Sequence, residues 1–76
     1  MDTLASRLRT SRRAALMTQA ELATEASVAL ITVSRLEKGA DSDPRSSTIK
    51  KLARALEVDP RWLLLGDEPV GKGMAA

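Results

Sequence analysis

The stretch Leu30-Ile31-Thr32-Val33-Ser34-Arg35-Leu36-Glu37-Lys38 has two faces when wound as a helix. Val33 and Leu36 fall three apart on an inner face, and Leu30, Ile31, Thr32 and Arg35 point outward. Position 35 lies one turn beyond 31 and 32, so these side chains can enter one groove together. The chemistry they offer is recognition. Arginine is the common bidentate partner of a guanine edge, hydroxyls donate to bases or phosphates, and aliphatic groups meet thymine methyls. Leu30 and Ile31 admit a second use, packing against a partner subunit or a neighbouring loop.

Bond-making chemistry is poorly supplied. The 76 residues include no cysteine and no histidine, which removes disulfides, thiolate and imidazole metal ligands, and the usual general base. No spacing assembles a nucleophile with an orienting base. We therefore expect no enzyme activity, no metal, no cofactor and no small-molecule substrate. Trp62 is the only aromatic residue, too few for a base-stacking platform. No apolar run approaches a membrane span and no signal peptide opens the chain, so the expected location is the cytoplasm, without membrane partners.

One small domain is all this length allows, and its core is modest. Apolar residues make up 43% of the chain, mostly leucine and alanine, the strongest helix formers. An all-α fold follows. The net charge is only +2, but it is unevenly spread. Residues 1–13 carry Arg7, Arg9, Arg12 and Arg13 against Asp2, whereas residues 14–28 carry Glu21 and Glu25 with no cation. Such polarity neither demands nor excludes a nucleic-acid partner.

Five helices are expected to position the outward residues. The first spans about Asp2 to Ala15, with Leu4 and Leu8 on its apolar face and Leu16 and Met17 closing it. Thr18 and Glu21 form a capping box for the second, Gln19 to Ala26, which buries Leu22, Ala23 and Ala26. After a tight turn at Ser27 and Val28, the third runs from about Ala29 to Lys38 and Gly39 stops it. A loop through Pro44 leads to a fourth helix capped by Ser46 or Ser47, with Ile49, Leu52, Ala53 and Leu56 at helical spacing. Asp59 and Pro60 open the fifth, Pro60 to Leu65, before Gly66. The domain would occupy residues 1–66, with 67–76 a frayed tail; Met1 and that tail read as natural chain ends. The second and third helices, short and joined by three or four residues, have helix-turn-helix spacing. In that arrangement one helix braces the next, whose N-terminal side chains enter a major groove.

The residues Gln19-Ala20-Glu21-Leu22-Ala23, Val28 and Thr32 through Gly39 resemble the Cro/CI-type (XRE) family of bacterial and phage regulators. The likeness continues through Pro44, Thr48-Ile49, Leu52-Ala53, Ala55-Leu56, Val58 and Trp62-Leu63-Leu64, covering residues 4–66. It implies a five-helix, lambda-repressor-like domain that binds double-stranded DNA as a small transcriptional regulator, a repressor acting as a homodimer on an inverted-repeat operator. In size the chain is similar to phage repressors and restriction-modification controller proteins. The resemblance places Gln19, Lys38, Arg45 and Lys50 at DNA phosphates, with Arg45 after its proline approaching the minor groove; the Ser34 hydroxyl can donate to a phosphate as well. It pairs Arg12 with Glu37 as a partly buried ion pair and puts Trp62, Leu63 and Leu64 at a dimer interface. The alternative for that last group is that Trp62 and Leu65 belong to the core. Three positions depart from the family pattern: Leu16 and Ser27 stand where glycine is usual, and Ala29 stands where a Ser or Thr cap is usual. The competing function is an antitoxin-like or adaptor module that uses the same fold to hold a protein partner through Leu30, Ile31 and the fifth helix.

Overall fold

The computed structural model describes residues 3–41 and 43–66; the expected tail, 67–76, lies outside the described residues. The described chain forms α1 (Leu4–Ala14), α2 (Gln19–Ala26), α3 (Leu30–Lys38), α4 (Ser46–Leu56) and α5 (Pro60–Leu65), and no strand. Each helix packs chiefly on two others, closing a ring in the order α1, α3, α2, α4, α5. Leu8, Leu22, Val33, Leu36, Ile49, Leu52 and Leu63 fill its centre, all of them fully buried. These are the positions that the 3.6-residue period assigns to inner faces, apart from Leu63.

Helix starts follow local chemistry where a cap is present. Thr3 accepts from the Ser6 N–H, so α1 begins at Leu4, later than the sequence suggests. Thr18 and Glu21 exchange both bonds of the capping box, at 3.0 and 2.8 Å. Asp59 accepts from the N–H groups of Arg61 and Trp62. α3 has no such help, since Ala29 occupies its cap position. α4 corrects an expectation: its cap is Arg45, in extended backbone and without a side-chain bond, and both serines fall inside the first turn. Burial of Ile49 and Leu52 sets that register, and the first turn closes through Arg45 O, which accepts from the Thr48 and Ile49 N–H groups.

Helix ends share one device. Leu16, Ser27, Gly39, Glu57 and Gly66 all have left-handed backbone. At the first four the next residue's N–H returns five residues: Met17 to Arg12 O, Val28 to Ala23 O, Ala40 to Arg35 O and Val58 to Ala53 O. This is the Schellman ending, which turns the residue after the left-handed one inward. Met17, Val28 and Val58 pack on the core accordingly. The same reversal throws Leu16 outward, 90% exposed, so it does not close the apolar face of α1 as expected. A side chain in this conformation costs on the order of 1–2 kcal/mol. Leu16, Ser27 and Glu57 all carry that strain.

Candidate nucleic-acid interface

The tight turn at Ser27 sets α2 and α3 against each other, and Val33 and Leu36 hold α3 to the core. The opposite side of α3 is left open. Leu30 is 48% and Ile31 60% exposed, and Arg35 and Lys38 are exposed on the following turns. Thr32 and Ser34 are half-buried at the margins of this face.

Glu37 is the only acid in α3, and the structure removes its charge from the surface. It is buried, and Arg12 donates to both its oxygens, Nε to Oε2 at 2.6 Å and Nη2 to Oε1 at 3.0 Å. Gln19 Nε2 adds a bond to Oε1 at 3.1 Å, and Arg9 donates to the Glu37 carbonyl at 2.9 Å. Burial alone would raise the carboxyl pKa. The bonds from Arg12 and Gln19, with the charges of Arg12 and Arg9, outweigh that and hold it below the ordinary value. Arg12 is held above its own ordinary value by its bond to Glu37. A second Arg12 donor, Nη1, reaches Met17 O at 2.9 Å, fastening the α1–α2 turn to the same centre. The outward face of α3 therefore presents hydrocarbon and positive charge.

Gln19 starts α2, half-buried, with its amide bonded to Glu37. Lys38 and Arg45 are exposed on either side of the α3–α4 loop, where Asp41 accepts from the Asp43 N–H. Lys50 is exposed on α4, but it lies across from α5 beside Leu64 and Leu65 rather than with the loop residues.

The α5 assignment needs correction. Leu63 is fully buried, so it cannot form an interface, and the alternative that put Leu65 in the core is also wrong: Leu65 is 58% exposed. Trp62 and Leu64 are half-buried. The cause is Arg7, which the sequence offers only as part of the basic stretch of residues 1–13. It is buried in α1 and donates from Nε to Leu63 O and from Nη2 to Leu64 O, both at 2.9 Å. It thereby satisfies the last carbonyls of α5 and fixes the rotation of that helix. The available signal was its place between Leu4 and Leu8 on the inner stripe of α1. Between α4 and α5 lies an open apolar hollow of about 240 Å³ whose lining includes Ile49, Pro60, Leu64 and Leu65. Among the described residues no group of three or more acidic side chains converges as a metal site would need.

A family model described as helix-turn-helix matches residues 8–63, from one fully buried leucine to another. The chain belongs to the helix-turn-helix family. This helix-turn-helix domain is 35% identical over 66 residues to the HTH-type transcriptional regulator DicA of Escherichia coli (strain K12), covering 87% of the present chain and 48% of DicA. It thus spans about half the length of that curated relative. The P22 c2 repressor, solved in complex with a synthetic operator, superposes with a TM-score of 0.80 at 27% identity, over 88% of this domain and all of that chain. A chain of the SinR/SinI complex superposes with a TM-score of 0.79 at 21% identity, over 96% and 75% of the two chains. The five-helix, lambda-repressor-like architecture is common to these domains. No helix among the described residues is long and apolar enough to cross a membrane.

Proposed function

We propose that this helix-turn-helix domain is a cytoplasmic transcriptional regulator of the repressor type, binding double-stranded DNA sequence-specifically as a homodimer on an inverted repeat. The observation that carries the reading is the outward face of α3: Leu30, Ile31, Arg35 and Lys38 exposed, and Glu37 neutralised beneath them. A polyanion with readable edges is the partner such a face fits. The likeness to a repressor solved on its operator supports it, as does the relation to a transcriptional regulator.

In this reading Arg35 bonds a guanine, and Leu30, Ile31 and Thr32 meet neighbouring bases. Ser34, Lys38 and Arg45 contact phosphates, and Gln19 does so with the amide N–H that Glu37 does not take; Lys50, beside Leu64 and Leu65, is left out of that set. Dimerisation uses Trp62 and Leu64, with Leu65 in the place first given to Leu63, and would set two α3 helices about 34 Å apart in successive major grooves. The chemistry is binding alone, without catalysis. The exposed aliphatic pair on α3 also suits an adaptor that holds a protein partner, so the test must separate the two.

That test is selection of bound duplexes from a random pool at about 0.15 M salt, near physiological ionic strength, followed by sequencing. An enriched inverted repeat with half-sites one helical turn apart supports the reading. A folded protein that enriches no sequence contradicts it and favours the adaptor.

A further inference from the structure

Leu16 is the most exposed large apolar side chain among the described residues, at 90%, and its backbone is left-handed. It stands where glycine is usual in the Cro/CI-type family, so this hydrocarbon is the chain's own, carried at a cost in strain. Nothing within the domain repays that cost, because the side chain lies outside the core. Leu16 instead borders an open hollow of about 350 Å³ along the outer stripe of α2, lined further by Met17, Ala20, Glu21, Thr24 and Glu25. Glu21 and Glu25 are four residues apart, a like-charge pair that weakens a helix. Glu25 has no hydrogen-bond or ion-pair partner among the described residues. Neither has Arg13, exposed in the last turn of α1 three residues before Leu16. The patch therefore carries a cation, a hydrocarbon and two carboxylates in chain order.

A surface of that composition is complementary to itself. When two copies meet about a two-fold axis at Leu16, each Arg13 faces the carboxylates of the other copy and the leucines cover each other. A separate basic partner would be repelled by Arg13, and a separate acidic one by the glutamates. No residue of the patch belongs to the α3 face or to the hollow beside α5, so DNA and the proposed dimer leave it open.

Resting on the DNA-binding reading above, we propose that the Leu16 patch joins neighbouring copies of this chain on one duplex and makes their binding cooperative. One leucine and two ion pairs bury far less than the roughly 1,200 Å² at which stable free complexes begin. Dilute copies in solution therefore do not use the contact. Copies on adjacent sites are held at an effective concentration on the order of millimolar, where so small a contact counts.

The test compares mobility shifts of duplexes bearing one selected site with those bearing two, at every spacing across one helical turn of about 10.5 base pairs. At the best spacing, wild type should fill both sites about tenfold more tightly than independent sites would, within the ordinary range of couplings. Leu16→Gly, which suits the left-handed turn, should keep the single-site affinity and lose that factor. Arg13→Glu should lose it too, and adding Glu25→Arg should restore most of it by exchanging charges across the axis. Because the factor is a ratio of two-site to one-site affinity, any effect of these changes on DNA contact itself cancels. All three positions are exposed, so the variants should stay folded by circular dichroism.

Independent filling at every spacing, by a wild type that still selects its site, would overturn the contact while leaving DNA reading in place. Cooperativity that Leu16→Gly retains would overturn it as well. If wild type selects no duplex at all, both readings fall.

Discussion

Arg12 Nε lies 2.6 Å from Glu37 Oε2, joining α1 to α3 directly beneath the face that the outward α3 side chains form. Their side chains are 13% and 3% exposed, so the bridge is screened little by solvent. It solves two problems together. The one acid of α3 is silenced beneath the exposed face, and α3 is held in its angle to α1. Removing one partner leaves a buried charge with too few donors or acceptors. We expect Arg12→Met to cost about 3 kcal/mol, the low end for breaking such a pair because Gln19 still donates to Glu37. Chemical denaturation of Arg12→Met, Glu37→Gln and the double variant should show strong coupling; additive effects would refute the pairing as an energetic unit.

The depressed pKa of Glu37 makes stability depend on acid in a defined direction. A carboxyl whose folded pKa lies below its unfolded value of about 4.3 adds stability above that value, and the gain is lost as pH falls through the folded pKa. The melting temperature of the wild type should therefore drop more than that of Glu37→Gln on titration from pH 7 to about pH 3, with the divergence beginning near the unfolded value. Parallel curves for the two proteins would contradict this.

Leu16 is strained and contributes nothing to the core. Leu16→Gly relieves a left-handed side chain at the expense of some unfolded-chain entropy. The expected gain is about 0.5–1 kcal/mol. Differential scanning calorimetry should show a higher midpoint, and a lower one would mean that the exposed leucine makes a contact in solution.

Leu63 and Leu65 should behave oppositely, although they stand two residues apart. Leu63→Ala creates a cavity in a packed core and should cost about 2–5 kcal/mol. Leu65→Ala should change monomer stability by less than about 0.5 kcal/mol and, on the proposed dimer, weaken self-association, read by sedimentation equilibrium or light scattering. Equal effects on stability would show that α5 is rotated differently.

Much of this was legible because periodicity reports burial. Leu8, Leu22, Val33, Leu36, Ile49 and Leu52 announce inner faces, and the capping box at Thr18 and Glu21 announces the start of α2. Helix ends were legible only in part. Gly39 and Gly66 mark two of them, but Glu57 gives no local hint that its backbone is left-handed. The signal that does exist is non-local: an apolar residue just past the end, Met17, Val28 or Val58, pulled inward by the core. The inward choice among four consecutive apolar residues of α5 was hidden for the same reason, since Arg7 decides it from 56 positions away. The open face of α3 was readable because Val33 and Leu36 fix which side is buried, and the remaining residues then have one direction left.

If α3 reads base edges, Arg35 is the side chain on which the reading turns, being exposed and outside the Arg12–Glu37 and Arg7–α5 networks. The measurement is equilibrium binding of wild type and Arg35→Ala to the selected duplex and to a scrambled one at about 0.15 M salt, near physiological ionic strength. The substitution should weaken the selected duplex by about 1–3 kcal/mol and relax the preference at one base pair, with much less effect on the scrambled duplex. An unchanged ratio between the two duplexes would contradict base reading by this helix.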